Sequence, residues 1–348
     1  MFRIIVALCI FASSATLAAA PDMAALDNGL WIDRQRLKQL PMAGAAWEEL
    51  LDDANQPFAK PDLTNQEEKT NVLVFARALV YARTGEARYR DEVLEAIEDV
   101  MGTETRPGGR TLALGRNLLA YVLAADLVDL PPELDERFRT WLKAVRNYRY
   151  PSGKTLISTH EKRPNNWGTA AGASRIAVAG YLRDDAEIER AAQVFKGYLG
   201  DRDAYAGFKY KKVDWWQADP ERPVGINPKG ATRDGHSIDG VLPEEMRRSG
   251  PFSWPPTKEN YVYTGLEGAL TQAVLLERLG YRAFDWQDKA LLRAYQWLYD
   301  VASFPAVGND TWQPYLINDY YQTQLPVVSP ARFGTGIGYT DWTHKSDY

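Results

Sequence analysis

Apolar residues recur at every third or fourth position along most of the chain, which predicts α-helix nearly throughout. The clearest case is 71–84, where Val72, Phe75, Leu79 and Val80 fall on one face of a helix. No run of alternating apolar and polar residues predicts a substantial strand, so we expect an all-α fold. The candidate helices span roughly 33–55, 67–84, 88–101, 112–128, 132–147, 167–182, 185–199, 262–280 and 284–303.

The candidate helices follow one another in pairs joined by short turns, as at Pro131 between 112–128 and 132–147. Helical hairpins in series, with no strict repeat in the sequence, favour helix pairs closed into an (α/α) toroid. An open solenoid is the alternative, although solenoids usually show a repeat period. We expect a single toroid domain over residues 21–348, with long loops that line a cleft.

Two segments break the helical pattern. Residues 200–261 are rich in glycine and proline but also carry Trp215, Trp216 and Trp254, which disordered segments rarely do. A loop of this length in a folded domain is usually functional. We therefore interpret it as ordered loops around a cleft, and we expect the tail at 304–348 to be similarly irregular.

The N-terminal residues 1–20 have the features of an export signal. Arg3 supplies a positive charge, 4–12 form a short apolar stretch and 18–20 are alanines that suit a cleavage site. Cys9 is the only cysteine and would leave with this segment, so we expect neither disulfides nor thiol chemistry. The sequence predicts a periplasmic or secreted monomer that keeps no membrane anchor after cleavage.

Composition narrows the range of partners. Acidic residues outnumber basic ones, 46 to 41, which argues against nucleic acid. An acidic substrate would then need a local basic patch, for which the candidates are Lys209, Lys211, Lys212, Lys229 and Arg233. The 11 Trp and 19 Tyr suggest rings that stack on sugars, although aromatic side chains also simply fill cores.

A first segment with candidate chemistry, Arg163-Pro-Asn-Asn-Trp-Gly168, leads into a helix of small residues. Asn165 and Asn166 suit the capping of a helix N-terminus. Their amides could instead bind a substrate carboxylate.

Two later segments also carry reactive groups. His236 is one of three histidines and lies among glycines and charged residues in 233–248. Tyr261 and Tyr263 lie where a predicted helix begins. A phenol can accept and donate a proton when nearby cations stabilise its ionised form, but each ring could equally pack in the core.

Motifs in these three segments together resemble those of the alginate lyase superfamily, whose members fold as an (α/α) toroid. The motifs are Asn165-Asn166-Trp167, then Asp239-Gly240-x-Leu242-Pro243-x-Glu245-x-x-Arg248, and then Tyr261 and Tyr263. Polysaccharide lyase family 5 has histidine where this chain has Trp167. The Asn-Asn-Trp-Gly form is more similar to polysaccharide lyase family 38, which includes glucuronan lyases and some alginate-active members. His236 would then supply the missing imidazole.

The resemblance implies a lyase that cleaves a β-1,4-linked polyuronate by β-elimination, with glucuronan favoured and poly-mannuronate next. An acidic polysaccharide is the expected partner, and neither a cofactor nor a metal is expected. Catalytic roles are expected for Asn166, His236, Arg248, Tyr261 and Tyr263. Substrate contacts are expected from Asn165, Trp167, Arg116, Asn117, Arg233, Trp254 and Lys258.

Two other function classes remain open. A glycoside hydrolase on the same helical scaffold would use two carboxylates, for which Asp234, Asp239, Glu244 and Glu245 are available. A periplasmic protein that binds polyuronate without turning it over is the other alternative.

Overall fold

A computed structural model describes residues 28–345. The predicted export signal at 1–20, with Cys9, lies outside the described residues. Helices dominate the structure, and its strands are two residues long, which confirms the predicted all-α fold. The helices are α1 (Arg34–Gln39), α2 (Ala45–Asn55), α3 (Thr70–Thr84), α4 (Ala87–Val100), α5 (Thr111–Val128), α6 (Pro132–Val145), α7 (Leu156–Lys162), α8 (Asn166–Leu182), α9 (Asp185–Leu199), α10 (Val213–Trp216), α11 (Pro243–Met246), α12 (Tyr261–Arg278), α13 (Trp286–Gln296), α14 (Gln313–Tyr321) and α15 (Thr340–Thr343).

Four helices, α3, α5, α8 and α12, form an inner row that is buried on nearly all sides. Each contacts the next, and the amphipathic helices α4, α6 and α9 cover them from outside. The small residues explain the close contacts within the row. A Cβ on Gly115 of α5 would lie 2.9 Å from the Ala171 backbone nitrogen of α8, and one on Gly268 of α12 would collide with the Thr169 backbone. Helix α5 is long and apolar enough to cross a membrane, but 89% of it is buried inside the protein.

The C-terminal segment is more regular than we expected. Helices α14 and α15 lie within the tail that we predicted to be irregular, and Trp312 and Trp342 are fully buried core residues. The loop at 335–336 bridges the two ends of the inner row. Asn71 of α3 donates to the Thr335 carbonyl at 2.9 Å, and the Gly336 N–H donates to Glu267 of α12 at 2.9 Å. These contacts agree with a toroid, and the closed ring itself stays a prediction.

The other departures from the predicted helices have local causes. The predicted helix 33–55 is two helices, because Leu40 precedes a proline and Gly44 has a φ of +91°. Helix α7 was missed because its seven residues are too few to show a period, although Thr155 and Ser158 form a capping box at its start.

The segment 200–261 consists of ordered loops, as predicted. It contains α10, α11 and a short antiparallel hairpin of β1 (Thr232–Arg233) and β2 (His236–Ser237). Arg293 of α13 ties this segment down by donating to the Asn227 carbonyl at 2.8 Å and to Asp239. Gly240, with a φ of +78°, packs so closely on the Arg293 backbone that no Cβ would fit there. The Asp-Gly pair of the second motif therefore anchors the loop that leads into α11.

Candidate active site

Helix α8 begins at Asn166, whose side chain is almost fully buried. The Asn166 backbone N–H donates to the Glu245 carboxylate, and its side-chain Oδ1 accepts from Arg248 Nη2 at 3.1 Å. The preceding Asn165 occupies the N-cap position but makes no capping hydrogen bond with its side chain. Its Oδ1 is buried and has no partner within residues 28–345. The amide of Asn166 therefore points at a cation, and capping does not explain the Asn-Asn pair.

Arg248 is held by the turn that contains Glu245. Pro243 occupies the first turn of α11, and the carboxylate of Glu245 accepts from Arg248 Nε at 2.9 Å, three residues later. Glu245 is 1% exposed, whereas a quarter of the Arg248 side chain is exposed. Gly265 of α12 leaves room for Glu245, since a Cβ there would come within 3.2 Å of it. The fixed side of Arg248 thus faces the protein and its other side faces solvent.

Tyr261 begins α12 directly over this arginine. The Arg248 guanidinium carbon lies 3.7 Å from the centre of the Tyr261 ring, a cation–π contact. Tyr261 is 43% exposed, and its hydroxyl has no hydrogen-bond partner among the residues that the structure describes. The structure therefore brings Asn166, Arg248 and Tyr261 together, as the sequence motifs predicted. We call these three residues the amide–arginine–phenol cluster.

Tyr263 lies elsewhere. It is 1% exposed, and its hydroxyl donates to the Phe304 carbonyl at 2.5 Å. Burial raises the pKa of Tyr263 well above its ordinary value. A phenol that is buried, bonded to a carbonyl and hard to ionise is a core residue, so its placement argues against the catalytic role that we expected. The helical period could have shown this, because Tyr263 shares a face with Leu266 and Leu270.

Glu245 is the residue whose part in this site the motifs did not reveal. Burial raises its pKa to about 7, although Arg248 and the Asn166 N–H both lower it. A carboxylate in this position is costly to ionise and is stabilised mainly by the arginine that it holds. The available signal was its spacing of three residues from Arg248 on a short turn.

A small cavity of about 20 Å³, with room for about one water molecule, lies beside Asn166, between the inner helices. Arg116 of α5, Thr264 of α12 and the loop at Thr335 line it. Thr264 is one turn after Tyr261 on the same helix face, so the cavity continues inward from the amide–arginine–phenol cluster. Arg116 therefore lies close to Asn166, and its contact with substrate stays a prediction.

Asn117 points away from this cavity. Its side-chain amide donates to the Asn65 carbonyl at 2.8 Å, so it holds the loop before α3. Its placement does not support the substrate contact that we expected from it.

His236 belongs to a separate group of aromatic rings. It stacks on Trp254 with ring centres 4.1 Å apart and an angle of 9° between the planes. In the described part of the chain, no hydrogen bond or ring contact joins His236 to Asn166 or Arg248. The aromatic group is linked to Arg248 only indirectly. Trp216 packs on Phe252, and its indole N–H donates to the carbonyl of Gly250, which is two residues after Arg248. His236 of β2 and the 39%-exposed Trp254, which lies in the loop that follows Arg248, thus form an aromatic rim.

The other predicted contact residues lie around these two groups. The Arg163 guanidinium lies 5.1 Å over the ring of Trp167, which is half-buried. Arg233 lies over Phe252 and donates to the Asp214 carbonyl, so it helps to hold the rim. Lys258 is exposed.

The predicted basic patch is divided. Lys209, Lys211 and Lys212 are exposed on one loop, next to Lys162 at the end of α7. Lys229 instead lines a different cavity with Arg202 and Arg222.

Lys154 also belongs to the basic patch, although the sequence did not suggest it. The pKa of Lys154 is lowered by partial burial and by the neighbouring charges of Arg163 and Lys211. Positive charge therefore gathers beside the Asn-Asn-Trp motif.

Three of the four carboxylates that a hydrolase could use are engaged in ion pairs. Asp239 pairs with Arg293, Glu244 with Arg247 and Glu245 with Arg248. Asp234 is exposed at a left-handed turn position of the hairpin.

A family model described as Alginate lyase matches residues 103–206 of the chain. This range includes Arg116 and Asn166 but ends before Arg248 and Tyr261. No curated protein matches the chain. The match supports the general prediction of a polysaccharide lyase related to the alginate lyases, and it does not distinguish between the possible substrates.

Proposed function

We propose that this protein is a lyase that cleaves a β-1,4-linked polyuronate by syn β-elimination, with glucuronan as its favoured substrate. The observation that carries the proposal is the direct contact of an amide, a guanidinium and an exposed phenol from three separate parts of the chain. These are the groups that such an elimination needs. We further propose that the protein acts in the periplasm or outside the cell, as its N-terminal sequence suggests.

Binding the uronate carboxylate is the first task. The C5 proton of a uronate is weakly acidic, and its removal puts negative charge onto the carboxylate. Fixed donors aimed at that charge stabilise the transition state in a site that excludes water. Arg248 has donors to spare on its solvent side, because Glu245 and Asn166 occupy only Nε and Nη2. Arg116 lines the small cavity beside Asn166 and is the second cation near the site.

Proton transfer is the second task, and Tyr261 suits it. Its ionised oxygen takes the C5 proton, the electrons of the C5–H bond form the C4–C5 double bond, and the C4–O4 bond breaks. The phenol then returns the proton to O4. In glucuronate and mannuronate the C5 proton and O4 lie on the same face of the ring, so one residue can do both. Guluronate and galacturonate place them on opposite faces and need two.

The choice between glucuronan and poly-mannuronate rests on sequence resemblance. The two sugars differ only in the orientation of the C2 hydroxyl. The Asn-Asn-Trp-Gly form of the first motif is similar to that of polysaccharide lyase family 38, and this favours glucuronan. The exposed Trp254 provides a flat ring of the kind that stacks on either sugar.

The test is incubation with glucuronan, poly-mannuronate, poly-guluronate and pectate while ultraviolet absorbance is recorded. Elimination leaves an unsaturated uronate that absorbs, so we expect a rise with glucuronan, a smaller one with poly-mannuronate and none with the other two. New reducing ends without absorbance would instead indicate the hydrolase. Binding without either product would indicate the non-catalytic protein.

A further inference from the structure

We propose that Glu245 is a positioning residue for this elimination: its ionised carboxylate holds Arg248 between Asn166 and Tyr261. The inference rests on the proposed function and deepens it, because Glu245 itself does not reach the solvent side of the site. Three contacts support it. One carboxylate oxygen accepts the Asn166 N–H, the other accepts Arg248 Nε at 2.9 Å, and Arg248 in turn contacts both Asn166 Oδ1 and the Tyr261 ring.

The geometry fixes the arginine at both ends of its guanidinium. A free arginine side chain has many rotamers, and ordering it over a phenol costs conformational entropy. Glu245 takes Nε and Asn166 takes Nη2, so the guanidinium plane is set before a substrate arrives. The same carboxylate fixes the first turn of α8 through the Asn166 backbone, so one buried group aligns two groups that would contact the uronate.

The negative charge of Glu245 is itself an argument for a positioning role. A negative group next to an anionic substrate opposes binding, so Glu245 should be useful only if its effect on Arg248 outweighs that repulsion. The other ionisable groups around it are Glu244 on its own turn and Tyr198 of α9, which are both buried. Neither supplies a positive charge, so Arg248 is the cation that stabilises the ionised form.

The ionised carboxylate also has a cost in stability. Its pKa in the folded protein is raised from 4.5 to about 7, so the folded state binds this proton more tightly than the unfolded state does. The protonated form therefore stabilises the fold below about pH 4.5, and this contribution is lost as the pH rises through 7. The active, ionised form is thus the less stable one, as expected for a group kept for function.

The decisive experiment compares Glu245→Gln with Glu244→Gln in the full chain. Glutamine at 245 keeps an oxygen for the Asn166 N–H but loses the charge that holds Arg248. Glu244→Gln is the matched control, since it removes the same charge one residue away, where the partners are Arg247 and the Lys211 backbone. We measure kcat, KM, the pH profile of turnover and the melting temperature at pH 5 and pH 8.

We expect Glu245→Gln to lower kcat by about 10–100-fold without raising KM, the size typical of losing an orienting neighbour of a functional group. Native turnover should fall as the pH drops through about 7, and the variant should lose this dependence. The melting temperature of the variant relative to the native protein should rise from pH 5 to pH 8. The Glu244→Gln control should turn over at the native rate.

Three results would overturn the inference. If Glu245→Gln keeps the native kcat and pH profile, the carboxylate does not position Arg248. If kcat and stability at pH 8 fall together, Glu245 is merely structural. If the native protein eliminates none of the four polyuronates, the proposed function fails and the inference falls with it, whereas the first two results leave that function intact.

Discussion

Two clusters of polar side chains lie on α8, and only one of them opens to solvent. The open one is at the first turn, where Asn166 meets Arg248 and the exposed Tyr261. The closed one surrounds Arg175 in the middle of the same helix, and this arginine is fully buried. Each has an arginine bound to a buried glutamate, so the difference between them lies in what the arginine leaves free.

The partners of Arg175 in the closed cluster all lie inside the protein. Arg175 pairs with Glu187 at 2.8 Å and Glu161 at 3.2 Å, and its Nη1 donates to His160 Nδ1 at 3.3 Å. Burial and the neighbouring arginine lower the pKa of His160 well below its ordinary value, so the imidazole is neutral and can accept. This cluster ties α7 and α9 to α8.

The comparison shows that an arginine–glutamate pair is not itself evidence for a site. Arg175 directs its donors into the protein, where they offset the burial of Glu187 and also pair with the partly exposed Glu161. Arg248 directs part of its guanidinium outward, beside a phenol whose hydroxyl is also free in the described structure. Unused hydrogen-bonding capacity at an accessible surface distinguishes the functional cluster from the structural one.

The largest effect should come from the open cluster. Tyr261→Phe removes the proposed proton acceptor and donor, so turnover should fall by about 10²–10⁴-fold. Its melting temperature should equal that of the native protein, because the lost hydroxyl has no partner within residues 28–345. Initial rates of absorbance change and thermal unfolding check both. A near-native rate for this variant would show that Tyr261 is not part of the mechanism, and the open cluster would then differ from the closed one only in exposure.

Breaking the closed cluster should affect stability. Arg175→Met leaves Glu187 buried without its main partner, and the free energy of unfolding should fall by about 3–5 kcal/mol. The matched control is Arg190→Met. Arg190 pairs with the same two glutamates but is 61% exposed, so its loss should cost about 0–1 kcal/mol.

Denaturant unfolding measures both variants. Equal losses would show that burial does not set the strength of these pairs. A specific loss of turnover by folded Arg175→Met would show that the closed cluster contributes to the site.

A smaller effect should separate the two tyrosines. Tyr263→Phe removes the donor to the buried Phe304 carbonyl, and the free energy of unfolding should fall by about 1–3 kcal/mol. Turnover per folded molecule should stay native. If Tyr263→Phe instead stops turnover while Tyr261→Phe does not, our assignment of the phenols is reversed.

Much of the inner row could be predicted from sequence. Helices α3, α5, α8 and α12 begin and end within a few residues of their predicted bounds, because apolar spacing and end signals are local properties. The C-terminal segment 304–348 was harder to predict. Helix α14 has nine residues and follows a stretch of loops, so it shows little period, and its burial depends on α12 and α13, which contact it.

The amino-acid sequence by itself determined the helical class, the inner helices and the three segments that supply an amide, an arginine and a phenol. Tertiary structure decided which phenol is exposed, because the surrounding elements bury nearly all of α12 and leave its first residue open. It also decided that Glu245 lies beneath Arg248, through a contact with Asn166, 79 residues away in the chain. Burial and charge are sums over neighbours that are distant in sequence, so local spacing could nominate these residues but not assign their roles.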